Sequence, residues 1–145
     1  MNSSITQPQT LMGFDYGTKR IGVAVGQTLT LTAQPVTILQ VKQQMIWPQI
    51  TKLVHTWQPH IFVVGLPYHA DGSDNSLTAQ IRDFSNQLHM NYHLPVYTIE
   101  ETLSTVAAEE RLPPPRRGRK IAKDAVAAQI ILETWMTEQQ FKHTN

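Results

Sequence analysis

The sequence MGFDYGTKRIGVAVG, Met12 to Gly26, places two alternating apolar runs on either side of a short polar turn. The alternation predicts two β-strands, Thr10 to Tyr16 and Ile21 to Gly26, joined by the turn GTKR. One carboxylate, Asp15, stands at the end of the first strand. Ligands of α/β sheets commonly bind in the crevice beyond the strand ends, so Asp15 is either a turn residue or part of a ligand site.

Both predicted strands have a face with little side-chain bulk. In the first strand Asp15 shares a face with Gly13, which predicts open space beside the carboxylate. In the second strand the alternation separates branched apolar residues from a nearly bare face made of Gly22, Ala24 and Gly26. A bare face either seats a helix or admits the backbone of a substrate, and the sequence leaves both interpretations open.

Strands and helices follow one another along the rest of the chain. The apolar pattern predicts a third strand at Gln34–Leu39, a helix over Val41–Trp57 with Pro48 near its first turn, a buried strand at His60–Gly65, a helix from Leu77 to Leu88, a strand at Pro95–Glu100, a short helix at Leu103–Leu112 and a last helix from Ile121 to about Phe141. This order predicts an α/β fold in which an antiparallel meander precedes parallel crossovers. We expect a mixed five-stranded sheet flanked by helices.

Length and composition indicate one globular domain. The 145 residues suit a single core, and we expect a flexible N-terminal tail at 1–9, one domain at 10–141 and a C-terminal tail at 142–145. The chain has no cysteine, which excludes disulfides and thiolate metal sites and fits a reducing compartment. No apolar run is long enough to span a bilayer and the N-terminus lacks the plan of a signal peptide, so we expect a cytoplasmic protein without membrane association.

The positive charges are concentrated in one segment. The net charge is only +1, yet five of the twelve lysines and arginines lie in RRGRKIAK, directly after three prolines. This segment is either a solvated loop or a grip for phosphate, because arginine makes paired hydrogen bonds to phosphate oxygens. Its position just before Asp124 favours the phosphate grip. The candidate nucleic-acid-binding residues are Arg116, Arg117, Arg119, Lys120 and Lys123, together with Lys19 in the first turn, for which a solvated turn residue is the alternative.

Three carboxylates on three elements are candidates for a metal site. Asp15 lies near the end of the first strand, Glu100 and Glu101 stand at the end of the fifth, and Asp124 opens the last helix; the candidates are Asp15, Glu101 and Asp124, with Glu100 beside Glu101. Each has an ordinary alternative, as a turn residue, a solvated strand end and a helix cap respectively. If the first and fifth strands are parallel, the acids meet at one edge of the sheet, where their mutual repulsion calls for a cation. Oxygen ligands without cysteine select a hard ion, and we expect Mg²⁺ or Mn²⁺.

Four motifs in register carry a resemblance to a known family. The segments FDYGTKRIGVAVG, VVGLPYHADGS, EETLSTVAAEE and RKIAKDAVAAQIIL are similar, in order and spacing, to motifs of the YqgF/RuvX family of Holliday junction resolvases, also described as pre-16S rRNA nucleases. The resemblance covers nearly the whole chain. It implies a ribonuclease H-like fold and a nuclease activity.

The resemblance also implies roles for individual residues. Asp15, Glu101 and Asp124 match the catalytic acids of the family, so the resemblance selects Glu101 over its neighbour Glu100. Two residues depart from the family pattern: Glu100 stands where aspartate is usual, and Thr102 stands where arginine is usual, which removes a phosphate contact. The matching segments Gly65–Pro67 and Asp71–Gly72 are assigned to loop shape.

We therefore expect a metal-dependent phosphodiesterase acting on structured nucleic acid. In the two-metal scheme Asp15 bridges both ions, and Glu101 and Asp124 complete one ion each. The substrate is either pre-16S rRNA or a branched DNA junction, for a monomer or a symmetric homodimer respectively. Two other classes remain: DYGT resembles the phosphate loop of sugar kinases and actin-like ATPases, and a non-catalytic nucleic-acid adaptor would use the basic segment without the acids.

Overall fold

The computed structural model describes residues 8–41, 46–66, 76–100 and 120–144. Within them the strands are β1 (Thr10–Tyr16), β2 (Arg20–Gln27), β3 (Thr32–Gln40), β4 (Ile61–Leu66) and β5 (Val96–Glu100), and the helices are α1 (Ile46–Trp57), α2 (Ser76–Tyr92) and α3 (Lys120–Thr144). The helix predicted at Leu103–Leu112 lies outside the described residues. No helix in the described part of the chain has both the length and the apolar character needed to span a membrane.

The strands form one mixed sheet in the order β3-β2-β1-β4-β5. β2 is antiparallel to both β1 and β3, whereas β4 is parallel to both β1 and β5. This arrangement confirms the predicted α/β fold with a mixed five-stranded sheet. Because β1, β4 and β5 are parallel, they end at the same side of the sheet, at Tyr16, Leu66 and Glu100. We call this side the carboxyl edge.

The two faces of the sheet are covered by different helices. α1 and α2 pack on one face, where the buried side chains are mostly large: Met12, Phe14, Ile21, Val23, Val25, Leu39, Ile46, Ile50, Phe62, Val64, Ile81, Phe84 and Leu88. α3 covers the other face with a smaller cluster of Leu11, Ala24, Val63, Ala128, Ile131, Leu132, Trp135 and Met136. The bare face of β2 therefore seats a helix, as one of the two sequence interpretations proposed.

Phe14 anchors β1 on the face covered by α1 and α2. Its ring centroid lies 5.8 Å from that of Phe62 and 5.3 Å from that of Phe84, which it meets edge-on. Trp47 stacks on Phe84 at 5.4 Å. Such aromatic pairs contribute about 0.5–1.5 kcal/mol each beyond the burial of their area. The strand that carries Asp15 is thus held firmly from one side.

The helix boundaries differ in places from the prediction. α1 begins at Ile46 rather than at the predicted Val41, and the Val41 N–H donates to the Lys19 carbonyl in the first turn at 3.0 Å. α3 continues to Thr144, past the predicted Phe141, since no glycine or proline interrupts it. At its other end α3 begins at Lys120, so Asp124 lies in the second turn and the helix-cap alternative for this residue is wrong.

α1 and α2 end with the same local device. Gln58 and His93 follow the last helical residues with φ of 49° and 58°. Each donates its N–H to the carbonyl four residues earlier, Val54 and His89, at 2.8 Å. This single bond is the left-handed helix cap, and the chain then passes directly into β4 or β5.

A carboxylate ties α3 to the sheet margin. Glu133 accepts a hydrogen bond from the Ala33 N–H of β3 at 3.2 Å, and its own helix supplies a second donor, the Gln129 amide, also at 3.2 Å. β3 is an outer strand of the sheet. Glu133 thereby gives a partner to a backbone donor of that strand and fixes the rotation of α3.

We predict that Glu133→Ala lowers the free energy of unfolding by about 1–3 kcal/mol, because it leaves the partly buried Ala33 N–H without its acceptor. Glu133→Gln keeps an oxygen acceptor and is expected to cost less than about 1 kcal/mol. Urea denaturation followed by circular dichroism measures both values. Equal losses in the two variants would show that the hydrogen bond to Ala33 is not what stabilises the helix position.

Candidate functional site

Asp15 lies on the α3-facing side of β1, one residue before the strand ends. It shares this side with Leu11 and Gly13, whereas Phe14 packs among the aromatic residues on the opposite side. The Asp15 residue is partly buried. Its carboxylate is thus directed to the α3 layer at the carboxyl edge, as the sequence alternation predicted.

Glycines stand beside Asp15 on both neighbouring strands. Gly22 of β2 is its antiparallel partner. In the parallel register with β4, Phe14 pairs with Val64, so Gly65 is next in line beside Asp15. Both glycines are buried, and a methyl group at either position would stand next to the carboxylate. Gly65 is therefore a strand residue flanking the site, and its assignment to loop shape is wrong.

The space beside Gly13 is filled by α3. A Cβ built on Gly13 would lie 2.5 Å from Cγ of Leu132, and 3.0 and 3.1 Å from its two Cδ atoms. Gly13 itself therefore adjoins no open space, because the absence of a side chain lets the helix approach the strand, and the open space expected beside the Asp15 carboxylate stays a prediction. The sequence shows a glycine two residues before the acid Asp15. It does not show that this glycine packs against Leu132, which lies more than a hundred positions away.

Two close contacts show the direction of α3. Gly13 lies against Leu132, and Gly26 lies against Met136, whose Cε would be 3.1 Å from a Cβ on that glycine. In the sheet Gly26 pairs with Leu11, which precedes Gly13 on β1. Advancing along β1 toward its end therefore means moving back along α3 toward its first residue. α3 runs antiparallel to β1, and its N-terminal turns lie at the carboxyl edge.

Asp124 belongs to these N-terminal turns. It precedes Ala128 and Leu132 by one and two helical turns, and both of those residues pack on the sheet. The backbone at Asp124 is part of α3, whereas its side chain lies outside the described part of the structure. At about 1.5 Å per residue, Asp124 is roughly 12 Å along the helix from the Gly13 contact, on the side toward Asp15.

β5 brings a third acidic segment to the same edge. Tyr97 and Ile99 face α3: the Tyr97 ring lies 5.3 Å from that of Trp135, and Ile99 packs against the same cluster. Glu100, the last residue of β5, is exposed and alternates onto the opposite face. Glu101 lies outside the described residues, so the assignment of this acid as a ligand stays a prediction.

The candidate phosphate-binding residues are described only in part. Lys19 is exposed in the first turn, where its carbonyl accepts the Val41 N–H. Lys120 and Lys123 are backbone positions in the first turns of α3, with side chains outside the described part. Arg116, Arg117 and Arg119 lie outside the described residues. Their roles stay predictions, although α3 begins at the carboxyl edge immediately after them.

Tyr16 ends β1 on the face opposite Asp15. Its ring packs against Phe84 with centroids 5.1 Å apart. Burial raises the pKa of the Tyr16 hydroxyl above its ordinary value, and the negative charge of Asp83 raises it further. The phenol therefore stays neutral at physiological pH and adds no charge to the carboxyl edge.

The chemistry of the donors fits a hard divalent cation. All three predicted ligands are carboxylates, which Mg²⁺ and Mn²⁺ prefer. The glycines beside Asp15 bring no competing side chain to the space where an ion would keep its water ligands. Among the side chains that the structure describes, only Asp15 of the three is included, and no cluster of three or more metal-binding residues occurs there.

Comparison with known proteins places this arrangement in a family. A family model described as RuvX, Holliday junction resolvase, matches residues 9–138. A Nitrosococcus oceani protein named as a pre-16S rRNA nuclease is 45% identical over 140 residues, covering 94% of this chain and 92% of that protein. Another, from Aeromonas hydrophila subsp. hydrophila, is 44% identical over 135 residues, covering 90% of this chain and 96% of the relative.

Solved structures with low sequence identity share the fold. T. thermophilus RuvC in complex with a Holliday junction substrate superimposes with a TM-score of 0.59 at 13% identity, covering 92% of this chain and 96% of that chain. The yeast mitochondrial Holliday junction resolvase gives a TM-score of 0.57 at 10% identity, covering 92% of this chain and 80% of the other. The predicted ribonuclease H-like fold is thus confirmed, and the match of the family model over 9–138 shows that the chain belongs to the RuvX family of Holliday junction resolvases.

Proposed function

We propose that this protein is a divalent-metal-dependent nuclease whose physiological substrate is pre-16S rRNA. Membership of the family makes it a hydrolase of phosphodiester bonds. The proposal adds the metal, the residues that hold it and the choice of RNA. It rests on the topology at the carboxyl edge, where β1, β5 and the N-terminal turns of α3 come together.

That convergence is the observation that carries the proposal. A sheet with parallel β1, β4 and β5 ends all three strands on one side, and an antiparallel α3 begins on that side. Each of these elements has an acid at or next to its end at this edge: Asp15, Glu101 and Asp124. Grouped carboxylates repel one another unless a cation neutralises them, so a shared edge favours a metal site over three unrelated surface acids.

In the proposed mechanism Asp15, Glu101 and Asp124 would hold Mg²⁺ or Mn²⁺. When bound, the metal would supply an activated water and stabilisation of the departing oxygen. Asp15 sits on a strand fixed between two packed layers, so its carboxylate is oriented before substrate arrives. The glycines on either side add no side chain of their own beside this carboxylate.

Positive side chains would hold the nucleic acid against this site. Arg116, Arg117, Arg119, Lys120 and Lys123 directly precede Asp124, and Lys19 follows Asp15 by four positions. Arginine binds phosphate oxygens in pairs, and these contacts position a strand without reading its sequence. Thr102 stands where the family usually has arginine, so the basic segment carries a larger share of the phosphate contacts in this chain.

There are two candidate substrates, pre-16S rRNA and a Holliday junction, and the names of the relatives favour the RNA. Both relatives described above are named as pre-16S rRNA nucleases and match most of this chain at 44–45% identity. The family description supports the second candidate, cleavage of a Holliday junction. Processing of ribosomal RNA would place the protein in the bacterial cytoplasm, and one active site in a monomer suffices for it, whereas resolving a junction requires two sites in a symmetric dimer.

A direct assay separates the candidates. Purified protein is incubated with Mg²⁺ or Mn²⁺ and three matched substrates: a pre-16S rRNA fragment, a four-way DNA junction and a linear DNA duplex. We expect cleavage of the RNA that EDTA abolishes. Preferential cleavage of the junction by a dimer would favour the resolvase, and binding without cleavage of any substrate would favour a non-catalytic adaptor. Calorimetric binding of ATP without nuclease activity would instead support an actin-like module.

Asp15→Asn is expected to abolish metal-dependent cleavage, because an amide is a weaker ligand and does not neutralise the charge of the cation. The loss should exceed about a hundredfold, the upper range for removing a group that merely supports a metal ligand. Circular dichroism should show an unchanged fold. Wild-type turnover of this variant at saturating Mg²⁺ would contradict the metal-site proposal.

The triple change of Arg116, Arg117 and Arg119 to Ser is expected to weaken nucleic-acid binding without regard to sequence. Each lost phosphate contact should reduce the slope of log K against log salt by about 0.9 for duplex DNA or about 0.7 for single strands. Fluorescence anisotropy at several salt concentrations measures this slope. Lys52→Ser, at an exposed position of α1, removes a positive charge elsewhere and should leave the slope unchanged. An unchanged slope in the triple variant would identify the segment as a solvated connector.

Glu101→Gln and Glu100→Gln are expected to differ although the two acids are adjacent and equally charged. Alternation along β5 puts Ile99 on the α3 side with Asp15 and Glu100 on the other side, so the next position returns to the side of Asp15 if the strand pattern continues. Glu101→Gln should remove nearly all metal-dependent cleavage, and Glu100→Gln should have little effect. Rates are compared at saturating Mg²⁺ with folding checked by circular dichroism. Similar losses in both variants would reject Glu101 as the specific ligand.

A further inference from the structure

We infer that Gly13 is a positioning residue for the metal site, because its contact with Leu132 sets the distance between α3 and β1. This distance determines how far Asp124 stands from Asp15. The inference rests on the proposed function, since it assumes that these two acids share a cation. Neither Gly13 nor Leu132 would touch the ion or the substrate.

Leu132 lies so close to Gly13 that no room remains for a methyl group on the glycine. A Cβ on Gly13 would meet Leu132 Cγ at 2.5 Å, whereas ordinary van der Waals contact begins at 3.4 Å. Adding one methyl group therefore requires a displacement of about 1 Å. The obstructing atom is the branch point of the leucine, which a rotation about the terminal bond does not move. Both residues are completely or almost completely buried, so no solvent-filled space is available nearby.

β1 is the less movable of the two partners. It is bonded to β2 along one side and to β4 along the other. On the face covered by α1 and α2, Phe14 of this strand is packed against Phe62 and Phe84. Among the described residues of α3, the close contact of Met136 with Gly26 and the hydrogen bond of Glu133 to Ala33 both lie on the C-terminal side of Leu132, whereas Ala128 is the residue on its N-terminal side that packs on the sheet. A clash at Gly13 is therefore expected to lift the N-terminal part of α3.

The N-terminal part of α3 contains Asp124 and lies on the side toward Asp15. Mg²⁺ requires ligand distances of about 2.0–2.1 Å in a nearly ideal octahedron. A shift of about 1 Å in one carboxylate relative to the other is large on this scale, so metal affinity should fall even when the fold is kept. Gly13 thus links the packing of the helix to the geometry of the metal site.

The test measures Mn²⁺ binding to the full chain by isothermal titration calorimetry, with the melting temperature recorded on the same samples. Gly13→Ala is expected to raise the dissociation constant for Mn²⁺ by at least about tenfold, as do changes to groups that orient metal ligands. Gly26→Ala is the matched control: it adds the same methyl under the same helix, away from the carboxyl edge, where the new Cβ would lie 3.1 Å from the flexible end of Met136 and 3.2 Å from Ala33 Cβ and the Thr32 carbonyl. It should change the constant by less than about threefold, below the range for such orienting groups.

A compensating change distinguishes positioning from general damage. Leu132→Ala removes Cγ and both Cδ atoms, the atoms that would clash with a new methyl group. The double variant Gly13→Ala/Leu132→Ala should therefore bind Mn²⁺ within about threefold of Leu132→Ala alone, although both proteins melt at lower temperature than the wild type. If Gly13→Ala alone fails to fold, comparing Gly13→Ala/Leu132→Ala with Leu132→Ala still tests whether the methyl group weakens Mn²⁺ binding through its clash with Leu132.

The outcomes separate this inference from the proposed function. If the wild type binds no Mn²⁺ and cleaves nothing, the metal-site proposal is wrong and the inference falls with it. If the wild type binds Mn²⁺ and a folded Gly13→Ala binds it equally well, only the inference is wrong. A double variant that folds but binds at least about tenfold more weakly than Leu132→Ala would likewise overturn it.

Discussion

The close approach of α3 to β1 is the constraint on which the rest of this structure depends. It exists because position 13 has no side chain, so Leu132 can pack directly on the backbone of the strand. The helix covers one whole face of the sheet from this contact and the similar one at Gly26. A larger residue at position 13 would hold the helix further from the sheet. The order of the two contacts along the chain also makes α3 antiparallel to β1.

The opposite face of β1 provides the complementary support. On this face large aromatic side chains, with Phe14 at their centre, pack against the strand. Backbone hydrogen bonds join the strand to β2 on one side and to β4 on the other. A catalytic group is most effective when its surroundings keep it in the reactive geometry before the substrate binds. Asp15, proposed above as a metal ligand, would meet this condition through the strand to which it belongs, without depending on a loop for its placement.

Much of the fold could be predicted because it follows from local periodicity. Alternation separated Ile21, Val23 and Val25 from the small residues of β2, and the order of strands and helices was sufficient to predict a mixed sheet. The contact between Gly13 and Leu132 could not be predicted, since it joins residues at opposite ends of the chain. α3 begins at Lys120, one residue before the predicted Ile121, and Asp124 lies in its second turn rather than at a cap because the lysines and alanine before it favour helix.

The composition of the candidate site stays a prediction from the sequence, and the structure adds the surroundings of Asp15, which the sequence did not show. The resemblance of the motifs selects Asp15, Glu101 and Asp124. Within β5, Ile99 faces α3 and Glu100 alternates onto the opposite face, which fits the choice of Glu101; Glu101 itself lies outside the described residues. The glycines beside Asp15 on the adjoining strands were recognised as glycines but not as its neighbours. Register between strands is set by long-range pairing, and a single sequence does not reveal it.

The position of the segment 101–119 has a consequence for changes of its sequence or length. It leaves the sheet at the end of β5 and returns at the start of α3, so it departs from and rejoins the scaffold at the same edge. Its two anchors are fixed by the sheet and by the packed helix, whatever lies between them. Changes of sequence or length between Glu101 and Lys120 therefore need not displace β5 or α3, because β5 is held by its pairing with β4 and α3 by its packing on the sheet.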